Sequence, residues 1–103
     1  MAYKIIETEL AQQDLSDIVD YILGTLENPS AVATFLDEVE ACYDNLEQHP
    51  LMFEACHDPR LGTLGYRKAI IRNYIMIYKV IESTKTVSIM RFFHGRQDYE
   101  KLI

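Results

Sequence analysis

YRKAIIRNYIMIYKVIESTKTVSIMRFF, residues 66–93, contains three runs rich in β-branched and aromatic residues, broken at Arg72-Asn73 and at Glu82–Lys85. The pattern predicts strands over 66–71, 74–81 and 86–93. Links this short join antiparallel neighbours. In the middle run Tyr74, Met76, Tyr78 and Val80 alternate with Ile75, Ile77 and Lys79, so the tyrosine row faces a core and the Lys79 row faces outward. A two-residue turn at Arg72-Asn73 sets Lys68 beside Ile77 on the outer side, whereas a three-residue turn sets Arg67 there. Both registers remain open at this stage.

Upstream of these strands the period changes. YKIIET (Tyr3–Thr8) is short and β-rich, a first strand. From Thr8 apolar residues recur at helical spacing (Leu15, Ile18, Val19, Ile22, Leu26), with Asp14, Asp17 and Asp20 between them. Thr8 suits the helix N-cap, and Glu9 favours the positive end of the helix. Asn28-Pro29 then stops one helix and starts another, with Pro29 at a first-turn position where its missing N–H does no harm. Val32, Phe35, Leu36, Val39, Tyr43 and Leu46 form the second stripe, which ends before His49-Pro50. Residues 51–64 show no period and read as a loop, while QDYEKLI at the end suits a short helix. The expected fold is α+β, in the order β-α-α-β-β-β. A two-helix hairpin covers one face of an antiparallel sheet, and the other face is open.

The chain has 103 residues, 49% apolar and 25% charged, and reads as a single domain, 1–103. It has no apolar run of about 18 residues, and its N-terminus has no basic-then-apolar leader, so a soluble cytoplasmic protein without membrane association is expected. Cys42 and Cys56 form no spaced motif and read as reduced thiols. The net charge of −6 hides an asymmetry. Residues 1–58 hold thirteen acids against the single base Lys4, and residues 59–103 hold nine bases against three acids. That division suggests an acidic layer behind a basic working surface; mutual neutralisation of the two halves explains it equally well.

No sequence motif assigns a cofactor or a metal. His49 with Cys56-His57-Asp58 lacks ligand spacing, Gly62 and Gly65 fit no phosphate loop, and no nucleophile elbow occurs. The bases Arg67, Lys68, Arg72, Arg91, Arg96 and Lys101 fall on consecutive elements of the expected sheet and would attract phosphates if they cluster; a solvated rim is the alternative. The ending RFFHGRQDYEKLI (91–103) gathers His94, Arg96 and Tyr99. His94 can exchange a proton near neutral pH, and Arg96 can hold a phosphate or stabilise developing charge. Cleavage of RNA by its own 2′-hydroxyl, without metal, needs such groups. The other fate for His94 is a strand-end residue bonded to backbone.

Five segments carry a resemblance: YKI at the start, DLSDIVDYI (14–22), NPSAVATFLDEVE (28–40), GYRKAIIRNYIMIYKV (65–80) and VSIMRFFHGRQDYEKL (87–102). In this order and spacing the chain resembles the RelE/ParE superfamily of toxins from bacterial type II toxin–antitoxin (plasmid stabilisation) systems. The resemblance implies helices on one face of an antiparallel sheet, growth arrest, and neutralisation by a cognate antitoxin. It also implies one of two targets: RelE-like members are ribosome-dependent mRNA interferases (endoribonucleases), whereas ParE-like members poison DNA gyrase. His94 falls where related YoeB-type nucleases carry a histidine, and Arg96 approximates another family arginine, which makes these two the catalytic candidates. Arg67, Lys68, Arg91 and Tyr99 are the candidates for binding RNA or another target. The RelE-like set also has an arginine directly after a middle-strand tyrosine, and that slot here is Ile75. With a pI near 4.9, unlike the basic ribosome-directed members, the resemblance favours a ParE-like inhibitor of DNA gyrase over the alternative, a RelE-like enzyme.

Overall fold

The computed structural model describes residues 2–102. Strand β1 (Lys4–Glu7) leads into helix α1 (Glu9–Asp20), and α2 (Pro29–Gln48) returns along it. A one-turn helix α3 (Pro59–Thr63) precedes β2 (Tyr66–Ile71), β3 (Tyr74–Ile81) and β4 (Thr86–His94), and α4 (Tyr99–Leu102) closes the described chain. The expected caps form: Thr8 Oγ1 accepts the Ala11 N–H at 3.1 Å, and Asn28 Oδ1 accepts that of Ala31 at 3.2 Å.

The strands lie in the order β1-β4-β3-β2. Arg72-Asn73 is a two-residue turn, with Ile71 opposite Tyr74 and Lys68 opposite Ile77. Arg72 takes the left-handed φ of 54° that this tight reversal requires. The sheet is mixed, not wholly antiparallel, because β1 runs parallel to β4, pairing Lys4 with Thr86 through Glu7 with Ile89. The connection from β1 to β4 passes through the whole hairpin and two further strands, so no short link dictates its direction.

Between the helices and the sheet, Phe35, Val39 and Leu46 pack with Met76, Tyr78, Val87, Ile89 and Phe92. Burying large side chains of this kind stabilises by roughly 2 kcal/mol each. The tyrosine row of β3 faces this layer, as its alternation predicts. The Tyr78 hydroxyl donates to the Pro50 carbonyl at 3.0 Å, which pins the end of the hairpin.

Three further expectations are corrected. The opposite face of the sheet is not open, because Cys56, Leu61, Ile77, Phe93 and Tyr99 form a second, smaller core there beneath α3 and α4. The loop reading of 51–64 misses α3, which starts at Asp58-Pro59; Asp58 Oδ1 accepts the N–H groups of Arg60 (2.9 Å) and Leu61 (3.1 Å). The first helical stripe does not continue unbroken to Leu26. Residues Tyr21–Thr25 form a wider turn in which the Leu26 N–H reaches the Tyr21 carbonyl five residues back. The extra residue rotates Leu26 off the stripe, leaving it 55% exposed. Leu36 on α2 is also exposed.

Candidate functional site

Strand β4 changes its partners halfway along. Tyr78 pairs with Ile89 and Ile77 with Arg91, so Met90 has no partner on β3. This extra residue is a β-bulge, and it re-aims everything after it. Beyond Ile89 strand β1 has ended, and groups next to and on α1 take over the edge. Thr8 Oγ1 donates to the Met90 carbonyl at 2.8 Å, and Asp14 Oδ2 accepts the Phe92 N–H at 2.9 Å. The same carboxylate accepts Arg91 Nε at 2.7 Å and Arg91 Nη2 at 3.1 Å. The Asp14 hydrogen bond raises the Arg91 pKa above its ordinary value.

Past the bulge, His94 ends the strand in a compact turn. Its N–H donates to Gln97 Oε1 at 2.6 Å, and its Nδ1 accepts the Arg96 N–H at 3.2 Å. The ring stands edge-on to Tyr74, 5.7 Å between centroids. Gly95 donates its N–H to the Asn73 carbonyl at 2.6 Å, and a Cβ on Gly95 would lie 3.0 Å from that oxygen. Any larger residue here would have to push the Asn73 carbonyl back by a few tenths of an ångström. His94, Gly95, Arg96 and Asn73 line a shallow cleft of about 350 Å³. With Nδ1 accepting, Nε2 is the ring nitrogen left to face solvent.

The six residues singled out by the sequence converge only in part: Arg91 and His94 line one cavity beside α1, and His94 shares the shallow cleft with Arg96. His94 and Arg96 sit together, exposed, at one end of the sheet. Arg91 is held by Asp14, and its guanidinium lies 4.8 Å over the Phe93 ring. Arg67 donates to the Phe53 carbonyl at 2.7 Å and so fastens the loop to β2. Lys68 lies on the other face with its Nζ 5.8 Å over Tyr99. Tyr99 is 8% exposed and stacks on Phe93 in the second core. Burial, more than nearby carboxylates, raises its phenol pKa. Ile75 faces Phe93 across the ladder.

Sequence reasoning passed over Asp14 as a partner for β4, since no local pattern joins residues 77 positions apart. Asn73 as the floor of the turn was likewise missed, and Lys79 was placed on the outer face without its partner Tyr66, over whose ring its Nζ lies at 5.8 Å. Alternation along β2 and β3 could have signalled the Lys79–Tyr66 pair, because Tyr66 is its cross-strand partner. Among the described residues, no group of three or more His, Cys, Asp or Glu is placed to hold a metal ion, and no helix is long and apolar enough to cross a membrane.

A family described as the ParE toxin of type II toxin–antitoxin system, parDE, matches residues 5–99. The chain belongs to the ParE toxin family. Two solved structures share the fold of this ParE-family chain. The toxin–antitoxin complex RelBE2 from Mycobacterium tuberculosis is 22% identical, with 91% of this chain and 99% of that one covered and a TM-score of 0.62. The chromosomal ParDE system from P. aeruginosa is 18% identical, with 90% and 96% covered and a TM-score of 0.69. Among curated proteins no relative matches. The match makes this ParE-family chain the toxin component of a type II system and supports the α+β fold read from its sequence.

Proposed function

We propose that this ParE-family chain arrests growth by binding DNA gyrase in the cytoplasm, acting as one toxin domain that a cognate antitoxin neutralises. The observation that carries this reading is where the positive charge goes. Arg91 and Arg67 spend their hydrogen bonds inside the fold, and the middle strand offers Ile75 where a nuclease of this superfamily would carry an arginine. Phosphoryl chemistry without metal needs several cations around the reacting phosphate, each contributing a few kcal/mol. His94 has Arg96 in its own turn and Arg91 in the adjoining cavity, and the Arg91 guanidinium is already held by Asp14. A protein-binding role needs no such cluster. The target-facing surface is then the His94–Arg96 turn, with Lys68 beyond it.

One observation favours the alternative, a ribosome-dependent mRNA endonuclease. His94 is exposed, keeps Nε2 free, and shares a cleft with Arg96. A single comparison separates the two readings: purified gyrase supercoiling, and transcript-end mapping in cells expressing the wild type or His94→Ala. The gyrase reading expects supercoiling to be blocked by both proteins, with no new transcript ends. Intact supercoiling at growth-arresting doses, together with transcript cleavage that His94→Ala abolishes, would reverse the assignment.

A further inference from the structure

The two edges of the sheet are finished differently. Beside β2 the chain supplies its own cover: Ala55 pairs with Arg67, the Cys56 N–H donates to the Tyr66 carbonyl at 3.0 Å, and the Lys68 N–H donates to that of Glu54 at 3.1 Å. Beside β1 nothing comparable is laid down. Lys4 and Thr8 donate their N–H groups inward to β4, to the carbonyls of Lys85 (2.9 Å) and Ile89 (3.0 Å). Alternation then turns the backbone groups of Ile5 and Glu7 outward, where they have no partner among the described residues. An edge left in this state is a template for another strand.

Register narrows what that strand can be. At the start of the edge the Tyr3 N–H is already taken by the Glu47 carbonyl at 2.8 Å, and helix α1 begins at Glu9, so the free stretch is 4–8. Its centre is Ile6. An antiparallel copy of the same stretch centred there sets Ile5 opposite the partner's Glu7, and Glu7 opposite the partner's Ile5. Each of these pairs exchanges two N–H···O bonds, so every outward group is satisfied.

The side chains agree with this register. Ile5 packs toward the helices, which turns Ile6 to the other face, where it is 39% exposed. At the centre it meets its own copy at the closer, non-hydrogen-bonded spacing, where β-branched chains pack well. Lys4 and Glu9 are exposed, and neither has an ion pair among the described residues. In this pairing Lys4 lies opposite the partner's Thr8 and next to the partner's Glu9, so the two lysines stay apart and each meets an opposite charge. The Glu7 carboxylate is turned the other way and held by the Tyr43 hydroxyl at 2.7 Å.

We propose that the chain forms a two-fold dimer through β1, centred on Ile6, which joins two four-stranded sheets into one. Past Ile89 the β4 edge is covered by Thr8 and Asp14 of the same chain, so the partner strand stops short of the His94 turn and each dimer presents two such turns. A contact of this length belongs to the small, reversible class of interface.

The test has two arms. Sedimentation equilibrium of the intact chain should show a reversible rise with concentration from 12.0 kDa toward twice that mass. Ile6→Lys, checked for an unchanged melting temperature, puts two like charges at the axis and weakens the association at least roughly tenfold. Lys4→Glu also weakens it, and Lys4→Glu combined with Glu9→Lys restores it, which keeps the arm decisive if Ile6→Lys does not fold. In the second arm, mild oxidation should link Ile6→Cys into a disulfide dimer, because residues at the axis lie within reach of an S–S bond, and should leave Lys4→Cys unlinked. Cys42 and Cys56 are buried and stay out of this reaction. A chain that remains monomeric at millimolar concentration overturns the dimer. So does association undiminished by Ile6→Lys and Lys4→Glu, or equal linking of the two cysteine variants. Ile5 and Glu7 amides that gain protection only when the product of a neighbouring short reading frame is added would give the edge to that partner and overturn the second copy as its occupant.

Discussion

Asp14 and Arg91, one on a helix and one on a strand 77 residues later, meet through two hydrogen bonds of 2.7 and 3.1 Å, and the same carboxylate takes the Phe92 N–H. Both side chains are largely shielded from water, at 14% and 23% exposure. Asp14→Ala would strand a guanidinium and a backbone donor together. It is expected to destabilise the chain by about 2 kcal/mol, a fall in melting temperature of roughly 10 °C. Arg91→Met in the Asp14→Ala background should restore part of that loss, so thermal denaturation of the double-mutant cycle measures the coupling. Additive losses would remove the pair from any positioning role.

Tyr78→Phe leaves the Pro50 carbonyl without its donor in the core and should destabilise by about 1 to 2 kcal/mol at neutral pH. Urea denaturation reads this directly. A change within error would show that water replaces the hydroxyl.

The alkaline limb of stability has a fixed sign. Burial pushes the Tyr78 phenol up to about 12 from its ordinary value near 10, and the Cys42 thiol up to about 11 from near 9. Burial, reinforced by the Glu7 carboxylate, pushes Tyr43 upward as well. Between the unfolded and folded values the unfolded chain releases protons that the folded chain keeps, so unfolding gains as pH rises. Stability should be flat near neutrality and fall from about pH 9 toward 12, with a shallower fall in Tyr78→Phe. Denaturation midpoints that stay level to pH 11 would contradict the buried placement of these groups.

Gly95→Ala would place a methyl 3.0 Å from the Asn73 carbonyl and lift the His94–Arg96 turn off the β2–β3 hairpin. The fold should lose only about 1 kcal/mol, while growth-arrest potency drops sharply. Full potency in a titrated expression assay would detach the turn from the toxin's action.

Glu100 on α4 lies against Asp58 at the start of α3. Its hydrogen bond to Asp58 raises its pKa, while the Leu61 N–H is the main cause that lowers that of Asp58. A raised carboxyl binds its proton more readily when α4 is docked, so docking tightens as pH falls from neutrality toward the carboxylate range. Glu100→Gln should remove the repulsion between the two carboxylates, so the Tyr99 near-UV signal stays level across the pH range in which that of the wild type strengthens on mild acidification. The same signal in both proteins at every pH would show that the acid pair does not influence docking.

The elements most legible in the sequence are those whose signals are local. Alternation in 74–81 gives β3 and its inward tyrosine row, while Thr8 and Asn28-Pro29 mark the helix starts. The parallel pairing of β1 is not legible, because it depends on where the folded hairpin returns the chain. The second core is missed for a similar reason: Ile77 and Phe93 look like members of an open row until Leu61 and Tyr99, from two one-turn helices, are laid over them. At the candidate site the cluster His94–Arg96 is readable from its spacing of two. The engagement of Arg91 by Asp14 and of Arg67 by Phe53 is not, since charge counting cannot tell a free cation from a committed one.

The two layers against the sheet are unequal, and so the molecule has two thresholds for opening. The hairpin layer spans twenty-residue α2 and the whole sheet. The opposite layer is five buried residues, closed partly by the four-residue α4, a length that has no stability apart from its contacts. Lifting that one turn uncovers Phe93 and Ile77 while the hairpin layer stays packed. Amide exchange should therefore sort the chain into a fast outer shell around residues 98–102 and a slow inner one centred on Met76, Tyr78 and Ile89.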